Sequence, residues 1–249
     1  MEFDSNGVRI AYDDAGEGRA VILLHGFASS RVINWRSVKW YDTLTSHGYR
    51  AIALDQRGHG ESEKLYDPQA YHPAEMGGDV IRLMDYLRIE RAEIIGYSMG
   101  ARVGLSILKR HPDRLRHAVL AGVGENILGG DKNAENIARA LELDNPDAVA
   151  DPVARDFRAF ADRTKSDRKA LAACMRGYRE PVDRDALART NIPLLFIVGG
   201  EDTLIGRPHA LSDINPKAEL VIIPDRDHLN VVSDDDFKDA ILSFLAEGA

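Results

Sequence analysis

The chain has 249 residues, 44% of them hydrophobic and 29% charged, which are ordinary proportions for one globular unit with a large core. A formal net charge of −8 argues against a nucleic-acid or anionic-membrane partner, because both need a basic face, and leaves a small molecule as the expected partner. No apolar run approaches the roughly 18 residues that span a bilayer, Met1-Glu2-Phe3-Asp4-Ser5 has neither half of a signal peptide, and the single cysteine excludes an internal disulfide, so a cytoplasmic location is expected.

Residues 2–13 alternate around Asn6-Gly7, which predicts an antiparallel hairpin at a sheet edge. From residue 20 onward, apolar runs alternate with helical patterns, the signature of a mostly parallel sheet flanked by helices. Strands are expected at Ala20–Leu24, Ala51–Leu54, Glu93–Ile95, Ala118–Ala121, Ile192–Val198 and Glu219–Ile223, all too apolar for a sheet with a wet face. Helical spacing covers Val32–His47, Pro73–Leu87, Ser98–His111 and Ser233–Leu245.

Residues 125–183 break this rhythm: they are rich in charge, hold no strand pattern and place apolar residues at helical intervals. They are expected to form a helical cap inserted between two parts of one core, 1–124 and 184–249. Val153, Phe157 and Phe160 share one helical face, and Leu171, Met175 and Tyr178 another; both faces are expected to pack on the main domain. Phe157, Phe160 and Tyr178 are the candidates for lining a pocket beneath the cap. A buried Arg155 or Arg176 there would favour an acidic substrate, and apolar walls an acyl ester.

Gly96-Tyr97-Ser98-Met99-Gly100 sets a serine between glycines, after a strand-like run and before a helix-like one. A turn that sharp strains its middle residue and needs neighbours nearly free of side chains. Serine is a weak nucleophile at neutral pH, so a base and a group orienting that base must exist elsewhere. His228 follows the strand at 219–223 on a loop at the sheet's carboxyl edge, where reactive groups of open parallel sheets collect. His47, His111 and His117 read as surface or helix-end histidines, and His209 as part of a helix start. Asp202, in the turn after the strand at 192–198, is the expected orienting acid; Glu125 is the alternative position, and Asp225 and Asp227 read as solvated turn residues. The backbone amides of Phe27 and Met99 are the expected oxyanion donors, with His25 holding the first loop. Cys174 reads as a buried, inert thiol. No clustered Cys or His spacing suggests a metal, and no organic cofactor is implied.

His25-Gly26-Phe27, Asp55-Gln56-Arg57-Gly58-His59-Gly60-Glu61-Ser62, the Ser98 turn, and then Asp202 and His228 occur in this order along the chain. In that order they resemble the α/β-hydrolase fold family over essentially the whole sequence. The resemblance implies a nucleophile–acid–histidine triad and a mainly structural role for the Asp55–Ser62 turn, whose glycines lack the third member and following helix of a dinucleotide loop. Family dehalogenases and epoxide hydrolases place aspartate where Ser98 stands. Carbon–carbon bond hydrolases share the Ser-Met-Gly turn but usually follow the histidine with tryptophan, where this chain has Leu229. Cofactor-free peroxidases match Phe27 but not Gly100-Ala101. The expected activity is hydrolysis of a small carboxylic ester or related acyl compound through an acyl-enzyme; a carbon–carbon bond hydrolase or cofactor-free peroxidase of the same fold is the alternative activity, and a ligand sensor retaining the triad is the competing class.

Overall fold

The computed structural model describes residues 1–129, 133–177 and 181–247. Eight strands, β1 (Glu2–Ser5), β2 (Val8–Ala15), β3 (Arg19–Leu24), β4 (Tyr49–Leu54), β5 (Ala92–Tyr97), β6 (Leu115–Ala121), β7 (Leu194–Gly199) and β8 (Glu219–Ile223), form one sheet in the order β1-β2-β4-β3-β5-β6-β7-β8. β1 and β2 form the expected antiparallel hairpin, with Asn6 and Gly7 both left-handed in the turn, and β2 runs antiparallel to β4. All other pairings are parallel.

The strands are apolar throughout because both faces are covered. Ile22, Leu24, Ile52, Leu54 and Ile94 enter one core layer, and Val21, Leu23, Ala51, Ala53 and Ile95 the other, following the two-residue period of a strand. Eight helices complete the main elements: α1 (Trp40–Ser46), α2 (Pro73–Tyr86), α3 (Met99–Arg110), α4 (Ala134–Glu142), α5 (Pro152–Arg163), α6 (Arg168–Gly177), α7 (Arg184–Arg189) and α8 (Asp235–Ala246). α2 and α3 cover the first layer, α1 and α8 the second. Asp151, Asp183 and Asp234 start α5, α7 and α8 by accepting from the first free amides. No described helix is long and apolar enough to cross a membrane.

Three expectations need correction. Val32–His47 is not one helix but a π-turn at Val32–Arg36 followed by α1, with Lys39 left-handed between them. In a continuous helix Trp35 and Trp40 would point about 140° apart; the break lets both bury edge-to-face, ring centres 5.8 Å apart, under α8. His117 is not a surface residue, because β6 begins at Leu115 and carries it inside, with its ring 2.7 Å from the Glu93 carboxylate and edge-on to Phe244. The third concerns residues 125–183, which show no strand among those described. Their apolar faces pack mainly on one another: Ile137, Leu141, Ala154, Ala161, Leu171 and Met175 form a separate small core, joined from the main body by Ala28 and Phe27. Val153 is turned to solvent, whereas Ala173 and Cys174, on the other side of α6, reach the main core. Short alanines let α6 be buried on two sides at once.

β5 and α3 meet within a single residue. A side chain on Gly96 would overlap the carbonyl of Gly100, and one on Gly100 would overlap the carbonyl of Leu24 on β3. Neither neighbour is a flexible side chain that could yield. Gly100→Ala is therefore expected to destabilise the chain by about 3 kcal/mol in urea unfolding, whereas Gly129→Ala, with open space around the new methyl group, leaves the midpoint unchanged.

Candidate active site

Ser98 lies at the reversal between β5 and α3 with φ 54° and ψ −107°. A non-glycine residue in that region costs on the order of 1–3 kcal/mol, and such strain persists only where the surroundings impose it. Here the Ser98 amide is tied to the Ala121 carbonyl on β6 at 2.8 Å, and its side chain does not cap its own helix. The hydroxyl is left to face His228, with 3.1 Å between Oγ and Nε2.

The loops after β7 and β8 supply the partners. His228 Nδ1 lies 2.6 Å from Asp202 Oδ2, and the other oxygen of Asp202 accepts from the Leu204 amide at 3.0 Å. The Asp202 side chain is fully buried and that of His228 is 17% exposed. A carboxylate at Nδ1 selects the tautomer protonated there, so Nε2 can accept from the serine hydroxyl. Glu125 lies elsewhere: its carboxylate approaches the Arg207 amide at 3.4 Å. Asp227 folds its own turn by accepting from Leu229 and Asn230.

The loop after β3 passes directly over the serine, since a methyl group on Gly26 would sit 3.6 Å from Ser98 Cβ. Burial lowers the pKa of His25, keeping it neutral. Its Nδ1 donates to the Gly26 carbonyl at 2.8 Å, and its Nε2 accepts from the Gln56 amide at 3.0 Å. The Gly26 amide donates to Asn34 Oδ1 at 3.0 Å. The peptide between Gly26 and Phe27 is planar, so a carbonyl gripped on one side turns the Phe27 N–H to the other. That N–H meets no acceptor among the described residues. Met99, the first residue of α3, presents its amide at the positive end of the helix beside Ser98.

Arg31 closes this loop. Its buried guanidinium contacts Asp55, Asp13 at 3.2 Å and Glu61 at 2.5 Å, while its amide donates to Asp55 at 2.7 Å. Burial works against the Asp13 carboxylate, yet the Tyr41 hydroxyl and the guanidinium groups of Arg31 and Arg36 hold its pKa below the ordinary value. The hydrogen bond from Arg31 holds Glu61 low as well. In the turn at residues 55–62, Arg57 pairs with Asp79 at 2.7 Å and Ser62 Oγ accepts from the Ala11 amide. His59 lies beneath Phe27 with its pKa lowered to about 3 by burial and then by His25.

Reasoning from sequence missed Asn34, Arg31 and Tyr97. Tyr97 donates from its hydroxyl to the main-chain carbonyl of His228. The first two follow the His25-Gly26-Phe27 motif closely, but nothing in the sequence marks them. Of the expected pocket residues, Phe157 packs its ring edge-on to Phe27 at 5.8 Å, and Phe160 lies under the Arg163 guanidinium at 5.2 Å. Tyr178 lies outside the described residues. Cys174 is buried, its thiol 3.9 Å from the Met99 sulfur. A cleft of about 690 Å³ opens beside α6, lined by Tyr66, Glu142, Asp167, Arg168 and Arg176 among others; neither Ser98 nor His228 lines it.

Residues 19–176 match the model of the alpha/beta hydrolase fold, and the chain belongs to that family. It is 36% identical over 117 residues to an epoxide hydrolase of Caballeronia sordidicola, a match covering 46% of this chain and 35% of that protein. The chain thus aligns with only about a third of the length of that relative. It is 28% identical over 271 residues to the 2-hydroxy-6-oxo-6-(2'-aminophenyl)hexa-2,4-dienoic acid hydrolase of Metapseudomonas resinovorans, covering 99% of this chain and 90% of that one. Among solved structures, the enol-lactonase of Burkholderia xenovorans LB400 superposes with a TM-score of 0.82 at 23% identity, covering 99% of this chain and 100% of the other.

Because Asp13 and Glu61 titrate below their ordinary values in the fold, their stabilisation is complete above about pH 5, beyond the unfolded values, and is lost as pH falls through the lower folded values. Wild type is expected to lose more stability than Arg31→Met between about pH 5 and pH 2 in denaturant titrations. Parallel curves for the two would mean that the network contributes nothing on acidification.

Proposed function

We propose that the chain is a serine hydrolase that cleaves a small, uncharged carboxylic ester or related acyl compound through an acyl-enzyme intermediate. The observation behind this reading is the continuous hydrogen-bonded line from Asp202 through His228 to the Ser98 hydroxyl. His228 Nε2 takes the Ser98 proton as Oγ attacks the carbonyl carbon, and the Phe27 and Met99 amides receive the oxyanion. The imidazolium, stabilised by Asp202, then protonates the departing alcohol oxygen. Water repeats the sequence on the acyl-enzyme: His228 removes its proton, the hydroxyl oxygen adds to the carbonyl, and Ser98 leaves with the proton returned by His228. Each step uses only the chain's own groups and water.

In this reading α4–α6 act as the cap, with Phe157 and Phe27 forming part of the acyl wall. The arginines that could mark an acidic substrate are committed elsewhere. Arg155 donates to the Val149 carbonyl, Arg176 pairs with Glu135 and Glu142, and the buried Arg158 binds the carbonyls of Ala140 and Leu143 together with Asp162. The Metapseudomonas relative is named for an acid, and an anionic substrate would need a cation that these residues do not offer. Leu229, where the resemblance expects tryptophan in carbon–carbon bond hydrolases, points the same way. Epoxide opening by a carboxylate nucleophile has no carboxylate at position 98. A cytoplasmic location accords with the lone, buried Cys174.

Turnover of p-nitrophenyl acetate and butyrate tests the proposal. Ser98→Ala should abolish it and His228→Ala should remove the acylation burst while the fold persists; undiminished turnover in Ser98→Ala would refute the mechanism and leave the sensor reading. Asp202→Asn is expected to lower kcat by about three to four orders of magnitude, and Glu125→Gln to leave it unchanged. Asn34→Leu, which frees the Gly26 amide, should lower kcat roughly tenfold at nearly constant KM, since the Phe27 donor serves the transition state.

A further inference from the structure

The loop bearing His228 lies at the sheet edge and is folded by the Arg226–Asp234 ion pair and the reciprocal bonds of Asp227 and Asn230, none of which holds the main chain of residue 228 itself. β8 is the outermost strand, paired only with β7, and around the histidine Pro224, Asp225, Asp227, Leu229 and Asn230 are all exposed, Leu229 at 64%. Glu201 donates to the Arg226 carbonyl at 2.9 Å and so ties the loop to the β7 turn, but nothing in that bond orients residue 228. Among the described residues, one donor reaches the His228 carbonyl, the Tyr97 hydroxyl. The Tyr97 ring also packs on the imidazole, ring centres 5.2 Å apart and planes tilted by 44°. The tyrosine is itself confined, since a methyl group on Gly122 would come within 3.0 Å of its ring. Burial, and after it the charges of Asp202 and Asp227, raise the Tyr97 pKa well above its ordinary value, so the phenol remains a donor.

We infer that Tyr97 is the positioning residue for the general base: by gripping the His228 carbonyl and flanking its ring, it fixes the imidazole at the distance from Ser98 that proton transfer requires. Tyr97 precedes Ser98 directly on β5, so nucleophile and base are referred to the same strand end, and motion of the edge loop is not passed to the Ser98–His228 pair. This role rests on the acyl-enzyme reading above. Tyr97 neither gives nor takes the transferred proton, and its effect is on the frequency with which His228 is in register.

Tyr97→Phe keeps the ring, its packing and the space beside Gly122, and deletes only the hydroxyl. Its burst with p-nitrophenyl butyrate is read in two ways, amplitude for the number of competent sites and rate constant for acylation per site. The expected result is an unchanged amplitude and KM with an acylation rate lowered about tenfold, the size of one lost hydrogen bond, and an equal fall in the rate of covalent labelling by a fluorophosphonate. A purely structural role would instead reduce amplitude and thermal midpoint and leave the rate per site intact; that result, or a variant indistinguishable from wild type, overturns the inference. Ser98→Ala run alongside separates the two claims. If it is inactive while Tyr97→Phe behaves as wild type, the hydrolase reading stands and the role of Tyr97 falls; if Ser98→Ala still turns over, both fall.

Discussion

The reversal of the chain at Ser98 is the constraint on which the rest of the site depends. A strand and a helix can join within one residue only if that residue adopts left-handed backbone and the residues two before and two after lack side chains. Gly100 then presses on the β3 backbone at Leu24, and Gly26, two residues beyond, lies against Ser98 itself. Backbone against backbone leaves little slack. The serine turn and the start of the loop after β3 are thus located relative to each other through the main-chain contact of Gly100 with Leu24.

Beneath that rigid unit is a layer of buried polar groups. Asp55, Arg31, His25, Gln56, Arg57 and Asp79 are all nearly inaccessible. Buried charges are tolerated when paired and hydrogen-bonded, and breaking one partner away is costly. Asp55 and Gln56 bond to the loop after β3, whereas Arg57 and Asp79 pair with each other and tie the same turn to the Ala70 carbonyl and to Ser5 on β1. The motif at residues 55–62 is therefore a fastening for its neighbour: Asp55 receives the Arg31 amide, and the Gln56 amide meets the His25 ring.

α4–α6 bring a second small core whose link to the main body includes Phe27. The same residue supplies an amide directed away from the gripped Gly26 carbonyl and a ring shared between two cores, edge-on to Phe157 on one side and to His59 on the other. Packing of α4–α6 and geometry at the amide are thereby coupled through one side chain. Ion pairs link these helices: Arg176 on α6 pairs with Glu135 and Glu142 on α4, while the buried Arg158 on α5 pairs with Asp162 and binds the Ala140 and Leu143 carbonyls.

The sequence alone determined the alternation of strands and helices, the hairpin at Asn6-Gly7, the serine turn, and the placement of Asp202 and His228 after the last two strands, because each is written in neighbours a few residues apart: apolar period, turn residues, glycine spacing. Tertiary structure decided what depends on strand order. Tyr97 and the carbonyl it binds are 131 residues apart, and the face that α6 turns to the main core was misread because an alanine-rich helix can bury both sides. The break before Trp40 belongs with these, since no local signal says that Trp35 and Trp40 must enter the same layer. Local chemistry is legible in local sequence; which side chains meet across the sheet is settled only when the strands have been ordered and the layers packed.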